Sequence, residues 1–175
     1  MKFLIIGTSL NPESNSQLLA QEAFKYIKGK GDVELLDLRK IERLPFCHGL
    51  KEVRPPFVME LMEKVKNAHG VLIATPVYDY SMTGGTKNFV EITREGWEDK
   101  IVAVVSASGG IRSYMALTPL MNSLMLDFRC VIVPNFVHAP GDNFTEEKGI
   151  NEDVLKRVQG TAQRLIDFTY ALKKG

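Results

Sequence analysis

The stretch LIIGTSLNPESNS, residues 4–16, decides the fold. An apolar run, Phe3 to Ile6, stops at Gly7. A polar loop then sets Thr8, Ser9, Asn11, Ser14, Asn15 and Ser16 within nine positions. Helical spacing follows at once in Leu18, Leu19, Ala20, Ala23, Phe24 and Ile27. Strand, hydroxyl-rich loop and helix start make an anion-binding design. The first N–H groups of a helix lack partners within it and carry positive partial charge. Ser and Thr hydroxyls can complete the shell around a phosphate. A helix cap alone would need one of these side chains, and Ser14 and Ser16 both suit that role. The loop has no Lys, no Arg and one Gly, which suits a small phosphate held by neutral donors.

The same alternation runs on. Apolar runs predict strands at 2–6, 32–38, 70–74, 100–105 and 130–133. Leu4-Ile5-Ile6, Val71-Leu72-Ile73 and Ile101 to Val105 are continuous rather than alternating, as in parallel strands buried on both faces. Helical periodicity covers 14–28, 56–67, 83–95, 111–127 and 151–173. Right-handed crossovers then give a five-stranded parallel sheet, order 2-1-3-4-5, with helices on both faces. Segments 43–56 and 134–149 read as loops because of Pro45, Pro55, Pro56, Pro134, Pro140, Gly141 and Gly149. Lys173-Lys174-Gly175 suit a helix C-terminus.

Composition bounds the function. A chain of 175 residues with 45% hydrophobic and 25% charged residues suits one domain spanning 1–175. The net charge of +1, from 22 basic and 21 acidic residues, offers no footprint for nucleic acid or an anionic membrane. No apolar stretch approaches the roughly 18 residues of a membrane span, and MKFLIIG lacks a cleavage site. Cys47 and Cys130 have no metal spacing, which fits a reducing, cytoplasmic setting.

Open α/β sheets bind ligands at the carboxyl ends of their strands. Two further segments sit there. Thr75-Pro76-Val77-Tyr78-Asp79-Tyr80-Ser81-Met82-Thr83-Gly84-Gly85 follows the third strand, and its tyrosines suit a flat aromatic ligand. The alternative is a plain turn into a helix capped by Thr83. Ser106-Ala107-Ser108-Gly109-Gly110 follows the fourth strand, where small residues allow close backbone approach. Taken alone, it suits a tight turn equally well.

Together the three segments resemble the NADPH-dependent FMN reductase family of flavodoxin-like proteins. Thr8 to Ser16 is similar to its G-S-L-R-x-x-S-x-N motif. Thr75 to Asn88 resembles T-P-x-Y-N-x-S-x-x-G-x-x-K-N, the most specific of the three. Ser106 to Gly110 resembles S-x-S/G-G-G. The likeness extends to about Leu126. It implies non-covalent FMN, with the phosphate on Ser9, Asn11, Ser14, Asn15 and Ser16. Pro76, Val77, Tyr78, Asp79, Tyr80 and Ser81 would wrap the isoalloxazine edge. Ser106, Ser108, Gly109 and Gly110 would meet the flavin or ribityl chain. Two positions depart from the family. Asn11 replaces an Arg that adds charge near the phosphate and the dinucleotide, so NADPH against NADH stays open. Asp79 replaces an Asn, and a carboxylate beside a flavin lowers its potential.

Other residues read more plainly. Asp37 ends the second strand, but no G-x-G-x-x-G follows the first, which excludes a dinucleotide-binding Rossmann domain. Cys47 and His48 read as loop residues, and the three histidines lack ligand spacing. Cys130 reads as core. Met115, Leu117, Leu120, Met121, Leu124 and Met125 form a helical core stripe, part of which could face a subunit. Trp97 reads as a surface anchor. By the resemblance, Trp97, Phe136 and His138 would lie at a dimer interface.

The expected protein is thus an FMN-dependent oxidoreductase. NADPH or NADH would reduce the flavin, and the flavin a small acceptor such as a flavin, quinone, azo compound or metal ion. It would act as a homodimer or homotetramer. A flavodoxin-type carrier without NAD(P)H turnover is the alternative, though such carriers are usually strongly acidic. A flavin-free module for a phosphorylated metabolite is a third.

Overall fold

A computed structural model describes residues 1–41, 43–49, 54–145 and 149–172. The described residues form seven strands and five α-helices: β1 (Lys2–Gly7), α1 (Asn15–Lys28), β2 (Asp32–Asp37), α2 (Pro56–Asn67), β3 (Gly70–Tyr78), β4 (Ser81–Met82), α3 (Gly84–Ile92), β5 (Ile101–Ser108), α4 (Thr118–Phe128), β6 (Val131–Ile132), β7 (Val137–Pro140) and α5 (Glu152–Leu172). The sheet order is β2-β1-β3-β5-β6, with β7 also on β5 and β4 antiparallel to β3. The flavodoxin-like class is the expected one, but the sheet has seven strands rather than five. The parallel path β2-β1-β3-β5-β6 keeps the sense of 2-1-3-4-5, while the antiparallel β4 and the extra β7 were not expected.

Strand period sorts the core into two layers. Leu4, Ile6, Val71, Ile73, Val102 and Val104 face one way, onto α2, α3 and α4. Phe3, Ile5, Leu72, Ala103 and Val105 face the other, onto α1 and α5. Burying each large apolar side chain is worth about 1.5–3 kcal/mol. These continuous apolar runs therefore hold β1, β3 and β5 at the centre, with their carboxyl ends in line.

Five expectations about these elements need correction. The fifth strand is two short ones. Pro134 cannot donate to a ladder, Asn135 turns left-handed at φ 63°, and the chain resumes pairing at Val137. Segment 134–149 is therefore not all loop. The fourth helix starts at Thr118 rather than Ile111, which opens a short 3-10 turn instead. Pro119 is the cause, because inside a longer helix its ring would clash with the Met115 carbonyl. The third helix stops at Ile92, with a 3-10 turn at Arg94–Gly96. Trp97 is no surface anchor. It is fully buried, donates from Nε1 to the Thr93 hydroxyl at 2.9 Å, and meets Phe89 edge-on.

The Met/Leu stripe divides. Leu117, Leu120 and Leu124 are buried, while Met115 and Met125 are exposed. Described residues 43–49 hold no helix or strand, and Asn88 pins them to α3 through the Cys47 N–H and the Pro45 carbonyl. Lys173, Lys174 and Gly175 lie outside the described residues. No described helix is long and apolar enough to cross a membrane.

Candidate functional site

Gly7 ends β1 because the chain must pass close to α1. A Cβ there would stand 1.9 Å from the Gln17 Oε1. Beyond it the loop is tied down by its own side chains. Ser9 Oγ accepts from the Asn11 N–H at 3.2 Å, and Asn11 Oδ1 accepts from the Glu13 N–H at 3.0 Å. Ser14 is the cap of α1. It accepts from the Gln17 N–H at 3.3 Å and bonds the Ser16 hydroxyl at 2.9 Å. Arg39 braces the loop from outside by donating to the Pro12 carbonyl at 2.9 Å. It is itself gripped by the buried Asp37 carboxylate, 2.7 Å away. Burial would raise the Asp37 carboxyl, but the Arg39 hydrogen bonds outweigh it and hold the carboxyl below its ordinary value.

A buried threonine cluster joins this loop to the next. The Thr86 hydroxyl lies 2.7 Å from Thr8, 2.8 Å from Thr75 and 2.9 Å from Thr83. Thr83 also caps α3. The loops after β1 and β3 therefore share one hydrogen-bonded floor. Nothing in the sequence reading singled out Thr8 and Thr86 for this role; only the three-dimensional pairing reveals it.

Above that floor opens a cleft of about 390 Å³. Its walls include Asn11, Ser14, Asn15 and Ser16 from the first segment, Pro76, Val77 and Tyr78 from the second, and Ser108 and Gly109 from the third. Glu13, Ala107 and Gly141 complete it. Next to it, Val77, Asp79, Tyr80 and Gly110 line a second cavity with Ile111, Arg112, Ser113 and Asp142. Three expected residues line neither. Ser9 is buried on the loop's inner side, Ser81 pairs with Tyr78 in β4, and Ser106 is buried against β7. Glu13 and Gly141 were not expected there; Gly141 is brought to the cleft by the pairing of β7 with β5, which no local pattern carries.

Asp79 and Tyr80 form the two-residue turn between β3 and β4, both left-handed at φ 50° and 57°. Asn and Asp tolerate that region better than most residues, while a tyrosine there is strained. The turn holds both aromatic rings out, with Tyr78 and Tyr80 exposed. At Gly109 and Gly110 an added Cβ would meet nothing within 4 Å. Internal packing does not demand these glycines, and the space they leave is open. The donors and shape fit FMN: neutral hydroxyls and the α1 N-terminus for a phosphate, an open aromatic wall for a ring system.

His138 is also not at the surface. It is 2% exposed, between Ser106 and Ser108. Burial pushes its imidazole below the ordinary value, the Gly110 carbonyl opposes this, and Arg157 adds to it. Phe136 is half-buried against Tyr114. Among the described residues, no group of three or more His, Cys, Asp or Glu could hold a metal ion.

The model of one protein family, described as NADPH-dependent FMN reductase, matches residues 1–143, which include all three loops. The chain belongs to that family. It is an oxidoreductase of the NADPH-dependent FMN reductase kind, with FMN as cofactor and NAD(P)H as electron donor. An NAD(P)H-dependent FAD/FMN reductase of Geobacillus thermodenitrificans (strain NG80-2) is 26% identical over 147 residues, 82% of this chain and 79% of that one. An NAD(P)H:quinone oxidoreductase of Solanum tuberosum is 31% identical over 151 residues, 81% and 74% respectively. In structure the chain is similar to FerB, a flavoenzyme NAD(P)H:(acceptor) oxidoreductase of Paracoccus denitrificans. That likeness has a TM-score of 0.77 at 22% identity, covers 97% of each chain, and shows the shared fold.

Proposed function

We propose that this single domain, 1–175, takes hydride from NAD(P)H and passes its two electrons through FMN to a small acceptor: a flavin, a quinone, an azo compound or a metal ion, with protons exchanged with solvent as the acceptor requires. It does so in the cytoplasm as a homodimer or homotetramer. The observation that carries the reading is one cleft walled by all three segments, the first loop and the carboxyl ends of β3 and β5, with neutral phosphate donors at one end and an open aromatic wall at the other. Bound FMN supplies the hydride acceptance and the onward electron transfer.

The chain's own residues position and tune. Asn11, Ser14, Asn15 and Ser16 hold the phosphate, with backbone N–H groups of α1 behind them. Pro76, Val77 and Tyr78 hold the ring edge, and Ser108 and Gly109 face it from β5. Asp79 lowers the flavin's potential by repelling added negative charge. No side-chain acid or base is required. Exposed Tyr78, Tyr80 and Ile111 border the open cavities, which supports a second subunit or an aromatic substrate covering them.

The test is an absorption spectrum with added FMN, followed by NADH or NADPH without oxygen. Shifted flavin bands that bleach rapidly are expected. Bound flavin that does not bleach would support the carrier reading instead, and absence of flavin binding would overturn both.

A further inference from the structure

His138 lies in β7 directly opposite Ser106 of β5, and Ser108 stands two residues on, on the same face of the strand. One imidazole therefore reaches both serines. Its Nδ1 is 3.1 Å from Ser106 Oγ, and its Nε2 is 3.0 Å from Ser108 Oγ. The outer serine lines the flavin cleft; the inner one does not. Each hydroxyl also has a carbonyl within reach: Ser106 donates to Val137 O at 3.2 Å, and Ser108 to Gly110 O at 2.8 Å.

A hydroxyl has one proton to give, so the ring decides where it goes. With the proton on Nε2, Ser108 accepts from the ring and gives its own proton to the Gly110 carbonyl. Nε2, 3.4 Å from that carbonyl, adds to the grip. With the proton on Nδ1 alone, Nε2 needs a donor, and Ser108 must turn onto the ring and release Gly110. The doubly protonated ring satisfies both serines and both carbonyls at once. The Gly109–Gly110 corner has no side chains to hold it. Its carbonyl is kept by Ser108, by the ring and by Ser113 at 3.1 Å.

We propose that His138 is a positioning residue of the flavin cleft: through Ser108 it clamps or releases the Gly109–Gly110 corner according to where its ring carries a proton. The inference rests on the cleft being the FMN site. FMN, an anion, favours the doubly protonated ring, which carries the Nε2 proton and keeps the corner clamped. The charged and titratable groups around the ring are Tyr114, which meets it edge-on, and Asp142, Asp153 and Arg157, which line the cavity on its outer side. Arg157 pairs with Asp153 at 3.7 Å. Arg112 lines the adjoining cavity.

The experiment follows the ring nitrogens of 15N-histidine-labelled protein during FMN titration, with FMN affinity measured by flavin fluorescence in parallel from pH 5 to 8. Saturation with FMN should move the His138 nitrogens toward the forms that carry a proton on Nε2, the doubly protonated one first. Ser106→Ala, which touches neither cavity, should weaken FMN about fivefold near neutral pH, the worth of one hydrogen bond. It should also change the pH profile relative to wild type; the FMN phosphate titrates in both, so the difference belongs to the ring. His138→Ala should weaken FMN similarly. Ring nitrogens unmoved at saturation, with both variants binding as wild type does, would overturn the clamp and leave the FMN site standing. A wild type that binds no FMN would overturn the site itself.

Discussion

On the α1 side of the cleft every hydroxyl described above already has a protein partner, whereas on the β3–β4 side Tyr78 and Tyr80 stand 52% and 67% exposed. The first side is finished by folding. Its loop is braced by Arg39, capped at Ser14 and floored by four threonines. The second side holds a strained turn and open rings. Preorganised donors cost little further ordering when a ligand arrives, while exposed aromatic rings accept partners of varied shape. A site built this way grips one constant group and tolerates variety at the other end. That fits a reductase that keeps FMN as its constant cofactor.

The contrast can be broken most severely at Thr86. Thr86→Val leaves the buried Thr8 and Thr75 hydroxyls without their shared partner. We expect about 2–3 kcal/mol of stability to be lost in chemical denaturation, with FMN affinity falling in step. A variant as stable as wild type would show that the floor is not what completes the first side.

Next in size is the Arg39 brace. The Asp37 carboxyl sits below its ordinary 3.8 in the folded protein. Its contribution is therefore present above that value and is lost as pH falls through the folded one. Arg39→Met should cost about 2 kcal/mol at neutral pH and move the midpoint of acid unfolding upward. An unchanged acid midpoint would remove Arg39 from the account.

The smallest effect belongs to the open side. Tyr80→Gly relieves a left-handed tyrosine but adds chain entropy to the unfolded state. The two nearly cancel, and stability should stay within about 0.5 kcal/mol of wild type. Turnover of bulky acceptors should fall while FMN affinity holds. A large loss of stability would mean that the second side, too, is finished by the fold.

Much of this was legible in the residues. Unbroken apolar runs such as Val71-Leu72-Ile73 announced the central strands, and hydroxyls crowded after Gly7 announced the cleft. Ser14, Pro76 and Gly109, expected from their position at strand ends, line one cleft. The side-chain direction of Ser106 is not legible from residue type: its hydroxyl turns into the layer against β7. Trp97, just before the fourth predicted strand, reads as a surface anchor, and only tertiary packing against Phe89 shows otherwise. Pro119 should have outweighed the periodicity around it, since a missing N–H and a steric clash override an apolar stripe. His138 needed the register of two distant strands, which no local pattern carries.

The broken fifth strand has one more consequence. Sheet edges invite further strands to pair on them. Here one edge is interrupted by Pro134 and the left-handed Asn135, and the other, β2, carries Asp32 and Glu34 along its first half. Neither presents a long, flat, uncharged ladder. Copies of this chain are thereby steered away from merging their sheets edge to edge into fibres.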